Sequence, residues 1–273
     1  MSHTVPTYTA EQVRAAERPL LDRGVPLMQR AAGALADVIR AELAPPVVTM
    51  VTGALESVAL ERPDAPHPRV LVLAGSGDNG GDALYAAAQL VDVADVDALL
   101  VADRFHEAAL ASATGAGVRR VDLADVRETV HRYGLIVDGV LGIGASGDPA
   151  LRGVAREAVA GLLSTASTSS GDARPPRVLA VDLPSGLHPD TGAADGVVLP
   201  ASVTVTFGAV KAGLVVGRGP MLAGEIVLVD IGLGPALESV APAGQASVSR
   251  IVVAPASEKS RPWQPAEGPA QRP

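Results

Sequence analysis

From residue 69 onward, short aliphatic segments alternate with segments of helical periodicity, and several of the aliphatic segments end in a polar, glycine-rich loop. Strands that helices cover on both faces are typically continuous runs of Val, Leu and Ile. Repeated strand–helix alternation favours a parallel sheet with right-handed crossovers. We therefore predict an α/β fold, a three-layer, Rossmann-like, doubly wound and mostly parallel sheet.

The predicted strands are short and are separated by turns or helices. They cover residues 70–74, 99–102, 119–123, 135–137, 178–182, 203–207, 214–216 and 226–229. A helix is predicted over about residues 82–91, directly after the first strand. Because the last three strands have little helix between them, we expect them to extend one edge of the sheet.

The chain around this core divides into three further segments. Residues 1–43 are predicted to form a helical extension that packs on the core, with a capping box at Thr9 and Gln12 that starts the first helix. Residues 44–68 are interpreted as an exposed proline-rich insertion. Residues 69–235 form the Rossmann-like core, and residues 236–273 a tail whose composition favours disorder at its end.

Composition and charge exclude several function classes. Aromatic residues make up only 2% of the chain, whereas RNA-binding sheets need stacking aromatic side chains. The net charge of -8 offers no attraction to phosphate backbones, so we expect no nucleic-acid partner. The absence of cysteine excludes thiolate catalysis. With no secretory signal and no apolar stretch near the ~20 residues of a membrane helix, we expect a cytoplasmic protein with no membrane partner.

The first polar loop, residues 75–82, follows a predicted strand and contains four glycines and two aspartates. Its glycines match the G-x-G-x-x-G pattern, and backbone amides at such a strand–helix junction can hold an anion. Because two carboxylates would repel a pyrophosphate, a cation or a sugar hydroxyl group should compensate. The alternative is a capped strand–helix turn without a ligand, although such a turn needs fewer glycines.

Two further polar loops follow predicted strands. Asp138 ends one strand and is followed by a glycine-rich segment. Asp182 ends another, and Pro184 and Gly186 force a tight turn that presents the Ser185 hydroxyl group. Ligands of open α/β sheets bind beyond the carboxyl ends of the strands, so the three loops are expected to line one crevice. Asp138 could instead only cap the next turn, and Ser185 lacks the G-x-S-x-G frame of a hydrolase.

Histidine and lysine side chains add little to this picture. None of the five histidines has the spacing of a metal pair, and we interpret them as surface residues, with His188 alone beside a site loop. Lys211 follows a late strand and could reach an anionic ligand, although a lysine in such a position is more often solvated.

Taken together, these motifs resemble the YjeF N-terminal domain family, the NAD(P)HX epimerases. Order and spacing agree over about residues 9–235, and such a set of motifs in the right order is highly specific. The matching segments are LMQRAAG at 27–33, GDNGGD at 77–82, DGVLG at 138–142, VDLPSG at 181–186, DTG at 190–192, Phe207-Gly208 with Lys211 and Gly213, and the closing strand and turn at 224–232.

The resemblance implies interconversion of the R and S epimers of hydrated NADH and NADPH, an isomerase reaction of nicotinamide nucleotide repair that is coupled to a dehydratase. It also implies a potassium ion (K+) held by Asn79, Asp138 and Ser185, all of which offer the oxygen donors that a hard cation prefers. A homodimer is one candidate assembly. The residues that would line the dinucleotide site are Asp78, Asn79, Gly80, Gly81, Asp82, Gly142, Ile143, Gly144, Ala145, Ser146, Gly147, Asp148 and Asp182.

Asp182 is our candidate for the general acid/base. Epimerisation at the hydrated ring carbon requires either loss and return of the hydroxyl group or ring opening, and both routes move a proton near the ring. The sequence departs from the family at Asp78, where asparagine is usual, and at Ala83, where glycine is usual. An aspartate at position 78 adds negative charge beside the ligand phosphates.

Two other functions remain open at this point. Relatives of this domain act as non-catalytic scaffolds in messenger RNA decapping assemblies, but such a module would be expected to lose the site residues Asn79, Asp138 and Asp182. An ordinary NAD-dependent dehydrogenase could use Asp103 as its ribose-binding acid, yet the chain offers no evident partner site for hydride transfer.

Overall fold

A computed structural model of the chain describes residues 2–44, 67–145, 147–168 and 175–254. Within these ranges, helices cover both faces of an eight-stranded sheet, and a second sheet of three strands lies beside it. Every neighbouring pair in the large sheet is parallel. The predicted three-layer α/β fold is confirmed.

The elements follow in chain order. The strands are β1 (His3–Tyr8), β2 (Arg69–Ala74), β3 (Asp95–Leu100), β4 (Arg119–Val121), β5 (Leu135–Gly139), β6 (Arg177–Val181), β7 (Val203–Phe207), β8 (Val210–Lys211), β9 (Glu225–Asp230), β10 (Gly244–Val248) and β11 (Arg250–Val253). The helices are α1 (Ala10–Asp22), α2 (Leu27–Leu43), α3 (Asp78–Ala88), α4 (Glu107–Ala116), α5 (Leu123–Thr129), α6 (Gly153–Thr168), α7 (Gly219–Leu222) and α8 (Gly234–Leu237). Short 3-10 turns cover Val130–Arg132, Ile143–Ala145 and Ala212–Leu214.

The strand order of the large sheet places its switch point between β2 and β5. The order is β11-β9-β7-β6-β5-β2-β3-β4, so the chain first moves outward from β2 and then returns to its other side. Ala74 pairs with Gly139 at the carboxyl ends of these two strands. The fold therefore opens its ligand crevice where two of the three polar loops begin.

Alternation along the strands explains the three layers. In β2, Val70 and Val72 pack into the apolar cluster that contains α1 to α4, whereas Leu71 and Leu73 pack into the cluster with α5 and α6. Successive side chains of a strand point to opposite faces, so a continuous aliphatic strand must be covered on both. Each fully buried aliphatic side chain contributes about 1.5–3 kcal/mol.

The N-terminal segment packs on the core as predicted for α1 and α2, and the Thr9–Gln12 capping box is present. The sequence interpretation missed β1, which pairs with β10 and β8. These partners lie far away in the chain, so no local pattern reveals the pairing. β1, β8 and β10 share a small apolar cluster that contains Leu183 and Leu187.

The segment that we interpreted as a tail, residues 236–273, contains strands before its end, because β10 and β11 form between residues 244 and 253. β11 adds in parallel to β9, at the edge that we expected the last strands to extend. Nearly all of the insertion at 44–68 and the end of the tail fall outside the described residues. No helix in the described ranges has the length and apolar character needed to cross a bilayer.

Two local predictions also need correction. The predicted strand at residues 214–216 was wrong, because the 3-10 turn Ala212–Leu214 and a loop occupy this part of the chain. The backbone packs closely here, and a Cβ on Gly213 would lie 2.1 Å from the carbonyl oxygen of His188. Helix α3 begins at Asp78, four residues earlier than predicted. The motif at 78–82 is thus the first turn of a helix, not a loop before it.

Candidate active site

Hydrogen bonds join the three polar loops into one structure. The amide of Gly75 donates to the Gly139 carbonyl over 3.1 Å, which joins the first loop to the second. Asn79 Nδ2 donates to the carbonyl of Val181 over 2.7 Å, which joins the first to the third. The amide of Leu141 donates to Ser185 Oγ over 2.8 Å, which joins the second to the third. The predicted convergence of the loops is confirmed.

Asp138 and Ser185 form the buried centre of this junction. Asp138 is fully buried, and its Oδ1 accepts a 2.6 Å bond from Ser185 Oγ while its Oδ2 accepts a 2.9 Å bond from the Ser185 amide. Burial raises the pKa of Asp138, and the bonds from Ser185 only partly offset this shift. No described basic side chain pairs with this carboxyl group, so the pair lacks a cationic partner of its own.

Gly142 shows how closely the loops approach one another. A Cβ at this position would stand 2.7 Å from Asn79 Oδ1 and 3.3 Å from Asp182 Oδ2. Only glycine leaves room there, so the Asn79 and Asp182 oxygens both face the turn after β5. These two side chains are themselves buried.

Asp182 has an unusual backbone and a buried counter-charge. Its φ of +67° is the only positive φ of a non-glycine residue in the described ranges. Aspartate tolerates this left-handed conformation better than most residues, although it still costs free energy. Asp182 Oδ1 accepts bonds from Lys211 Nζ and, over 3.3 Å, from Thr206 Oγ1. Its Oδ2 makes no hydrogen bond to described residues and is left for the crevice.

Lys211 is buried rather than solvated, so the simpler sequence interpretation was wrong. Its side chain is only 2% exposed and forms an ion pair with Asp182. Nζ also donates to Thr206 Oγ1 over 3.2 Å and to the Phe207 carbonyl over 2.8 Å, so all three N–H donors are used. An ammonium group held in this way acts as a fixed positive charge beneath Asp182.

The first turn of α3 brings both amides and carboxyl groups to the crevice. Helix geometry leaves the N–H groups of its first residues without partners inside the helix, and Gly77 provides no side-chain cap. Asp82, one turn in, is buried, and its Oδ1 has no hydrogen-bond partner among the described residues. Burial, followed by the charges of Asp182 and Asp78, raises the pKa of Asp82 well above its usual range. This end of α3 therefore offers backbone amides that can bind an anion and a buried carboxyl group whose charged form is disfavoured.

The segment at 142–148 is only partly brought into this centre. Its 3-10 turn Ile143–Ala145 lies under α1, because Arg14 Nη1 donates to the Ile143 carbonyl over 2.8 Å. Ser146 lies outside the described residues. Asp148 is exposed at the far end of the segment, where it pairs with Arg152 at 2.5 Å. A bond from the amide of Ala150, followed by Arg152, lowers the Asp148 pKa.

Comparison with known proteins decides the family. The family described as "YjeF-related protein N-terminus" matches residues 25–213, which is more than half of the chain. The chain belongs to this family. The YjeF-related match includes every predicted site residue, from the first turn of α3 to Ser185.

Individual YjeF-related proteins extend the match. The chain is 51% identical to an NAD(P)H-hydrate epimerase of Microbacterium testaceum over 94% of this chain and 91% of that protein. It is 39% identical to the bifunctional NAD(P)H-hydrate repair enzyme of Mycobacterium tuberculosis over 83% of this chain, but it spans only 41% of that longer protein. The crystal structure of yeast ynu0 superposes with a TM-score of 0.59 at 17% identity, over 77% of this chain and 83% of that one, which supports the fold.

Ala83, where we expected glycine from the resemblance, packs against Gly139 of β5. Ala83 is buried at the start of α3, and its Cβ lies 2.6 Å from where a Cβ on Gly139 would be. The extra methyl group therefore fills the space that a glycine at 139 leaves open. Helix and strand keep their close approach.

Sequence reasoning missed two parts of this site. Thr206 supports both Asp182 and Lys211, but a threonine inside a strand carries no distinguishing signal. Glu17 of α1 is half-buried, and burial, offset in part by Lys211 and reinforced by Asp182 and Asp78, raises its pKa. The sequence predicted that the N-terminal helices pack on the core, but it did not predict where on the core they lie, so it gave no signal for Glu17. His188, which we placed beside a site loop, uses Nδ1 to accept a 3.1 Å bond from the Asp190 amide and so stabilises the turn.

Proposed function

We propose that the chain is an NAD(P)H-hydrate epimerase, an isomerase that interconverts the R and S epimers of hydrated NADH and NADPH. The supporting observation is that the three strand-end loops meet around Asp182, with the motif residues of an epimerase family in place. Two proteins named NAD(P)H-hydrate epimerase align with 94% and 83% of the chain. This supports an enzyme over a scaffold, since the buried carboxyl groups are costly to keep without a ligand.

In this proposal the dinucleotide lies along the crevice at the switch point. Its pyrophosphate is held by the free amides at the start of α3 and by the glycine-rich turn after β5, as helix N-termini hold anions elsewhere. Asp82 and Asp78 face ligand hydroxyl groups rather than the phosphates. The hydrated ring lies toward Asp182, where the side-chain oxygens of Asn79 and Asp182 converge on the turn at Gly142.

Asp182 serves as the general acid/base. Its Oδ1 is held by Lys211 and Thr206, so the carboxyl group is fixed in position while Oδ2 faces the ligand. The buried ammonium group of Lys211 supplies a counter-charge that is already in position before the reaction. No free energy is then needed to reorient charges as the transition state forms. A positioned acid or base of this kind typically contributes about 10²–10⁴ in rate.

Potassium is part of the proposal, and the residues present fit it. Asn79 Oδ1, the Asp138 carboxylate and the Ser185 hydroxyl are all oxygen donors, as a hard cation requires. Asp138 is fully buried with no cationic partner among the described residues, which a bound cation would provide. When bound, the ion supplies positive charge that offsets the surrounding carboxylates and attracts the ligand phosphates.

Partners follow from the relatives. The longer bifunctional repair enzymes suggest that this epimerase works with an NAD(P)H-hydrate dehydratase, whichever chain carries it. A cytoplasmic location and a homodimer stay predictions.

The experiment is a single-epimer assay. Purified protein is incubated with one epimer of NADH-hydrate, and the epimer ratio is followed in a potassium buffer and in a buffer of a large organic cation. We expect equilibration well above the uncatalysed rate, and faster in potassium. Equilibration at the uncatalysed rate in both buffers would favour the scaffold, and oxidation or reduction of the ring would favour a dehydrogenase. Equal acceleration in both buffers would contradict the proposed potassium site but not the epimerase function.

A further inference from the structure

A cavity of about 220 Å³ lies beside β4, the edge strand of the large sheet. Four of the described residues that line it are arginines: Arg69 at the start of β2, Arg119 and Arg120 of β4, and Arg132 of the 3-10 turn after α5. Arg69 is at the amino end of its strand, whereas the candidate active site lies beyond the carboxyl ends of β2 and β5. The cavity is therefore separate from the crevice of the proposed epimerase.

Two of these arginines are held in position by the sheet itself. Asp97 accepts a bond from Arg69 Nη2 over 2.7 Å and two bonds of 2.9 Å from Nε and Nη2 of Arg119. The Arg69 guanidinium group also lies over the Tyr133 ring, 5.2 Å from its centre. Neither arginine uses all five of its N–H donors in these contacts. The ion pairs with Asp97 therefore fix two guanidinium groups and still leave donors for a ligand.

Arg120 and Arg132 have no such structural role. Both are exposed, and neither forms an ion pair or a side-chain hydrogen bond with another residue in the described part of the chain. Asp125 is the one acidic residue among the described residues that line the cavity. Four arginines thus face two carboxylates, those of Asp97 and Asp125, in a chain whose net charge is -8. The cavity retains positive charge that its own surroundings do not neutralise.

The chemistry and the size of the cavity indicate what it can hold. Guanidinium groups are planar and donate paired N–H bonds, a geometry that matches the oxygens of a phosphate group. Like charges repel one another, and an anion bound among them removes that repulsion. Pockets for drug-sized ligands have volumes of about 300–1,000 Å³, so this cavity suits a smaller group. A phosphate or diphosphate group meets both requirements.

We propose that this cavity is a second ligand site, which binds a phosphate or diphosphate group, either as a free anion or as the end of a phosphorylated metabolite. Arg120 and Arg132 supply the charge that neutralises the ligand, and the pair fixed by Asp97, Arg69 and Arg119, forms a wall that is in place before the ligand binds. The site lies outside the dinucleotide crevice, so the inference does not depend on the epimerase function.

The test is titration calorimetry of the full chain with inorganic pyrophosphate in a phosphate-free buffer. The double variant Arg120→Gln/Arg132→Gln is compared with Arg18→Gln/Arg23→Gln, which removes the same charge from exposed residues in and directly after α1. We expect the first variant to weaken pyrophosphate binding about 10-fold or more, because charge-assisted hydrogen bonds are lost. Its Tm without ligand should not change, since neither arginine pairs within the described chain. The control should bind as the unchanged protein does.

Two further measurements identify the ligand and its place. Titration with ADP separates the sources, because tighter binding of ADP than of pyrophosphate supports a nucleotide and the reverse supports a free anion. Crystals soaked in tungstate, a heavy analogue of phosphate, should show the anion within hydrogen-bond distance of Arg120 or Arg132.

Several results would overturn the proposal. They are pyrophosphate affinity that Arg120→Gln/Arg132→Gln retains, equal losses in both double variants, succinate binding as tight as that of pyrophosphate, and tungstate only at the first turn of α3. Tungstate in the cavity without measurable pyrophosphate binding would mean an adventitious ion only and would overturn it too. Because these readouts measure binding rather than turnover, failure of the single-epimer assay would reject the proposed function and leave this site standing.

Discussion

At the scale of single residues, the site retains groups that the folded state would be more stable without. Asp82 is buried with an unpartnered oxygen, Asp138 is buried without a described cation beside it, and Asp182 has a left-handed backbone. Buried carboxyl groups and strained backbone each cost free energy, and such costs concentrate where ligands bind. A bound nucleotide and cation would recover part of that cost.

Asp82→Asn is therefore expected to stabilise the protein at neutral pH, by about 1–3 kcal/mol. The folded-state pKa of Asp82 is raised, so its contribution to stability is fully present below the unfolded pKa and is lost as the pH rises through the folded pKa. The gain from asparagine should accordingly be largest at neutral pH and vanish in acid. Thermal unfolding across pH measures it, with Asp37→Asn on the exposed face of α2 as the control. A gain that did not change with pH would contradict the assignment.

At the scale of elements, one buried carboxylate, that of Asp97, joins three strands of the large sheet near their amino ends. Asp97 of β3 is nearly buried and accepts bonds from Arg69 of β2 at 2.7 Å and Arg119 of β4 at 2.9 Å. Tyr133, before β5, donates its hydroxyl group to Asp97 over 2.7 Å, and burial followed by this bond raises the Tyr133 pKa to about 12. The ion pairs of Asp97 thus lie near the amino ends of the strands, whereas the candidate active site lies at the carboxyl ends of the same sheet.

Asp97→Asn should lower the free energy of unfolding by about 3 kcal/mol, because it leaves two guanidinium groups without their carboxylate. Burial acts to raise the pKa of Asp97, but the bonds from Arg119, Tyr133 and Arg69 outweigh it and hold the pKa below its usual value. The stabilisation is therefore present above the unfolded pKa and is lost as the pH falls through the folded one. Denaturant unfolding at neutral and acid pH measures both effects. Epimerase activity per folded molecule should not change, and a selective loss of activity would contradict this separation.

At the scale of the whole molecule, the small sheet fixes the N-terminal segment to the catalytic end of the large sheet. β1 pairs with β10 along five residues and with β8 beside Lys211, so residues from both ends of the described chain hold α1 over the crevice. α1 is also held by Val13 and Ala16, which are buried in the main apolar cluster, and by the contacts of Ala10 with Asp190 and of Arg14 with Ile143. The N-terminal extension thus packs on the core and also contacts the turn after β5 through Arg14.

The sequence predicted the large sheet and the three loops because their signals are local: aliphatic runs, glycines and strand-end carboxyl groups. It could not predict β1, since a strand of six residues with a proline is recognised only through partners more than two hundred residues away. Burial of Lys211 was equally hidden, because a lysine next to a strand looks solvated until the carboxylate of Asp182 is placed beside it. Local sequence patterns therefore predicted where the site lies, whereas the pairing of its charged groups became visible only in the folded structure.

The most direct measurement is the rate at which Asp182→Asn equilibrates a single epimer, compared with the unchanged protein and with Asp230→Asn, which changes the exposed last residue of β9. Asparagine tolerates the left-handed backbone and can still accept a bond from Lys211, so the fold should persist. We predict a rate about 10²–10⁴ lower for Asp182→Asn and an unchanged rate for the control. Near-normal equilibration by folded Asp182→Asn would contradict the account of this site.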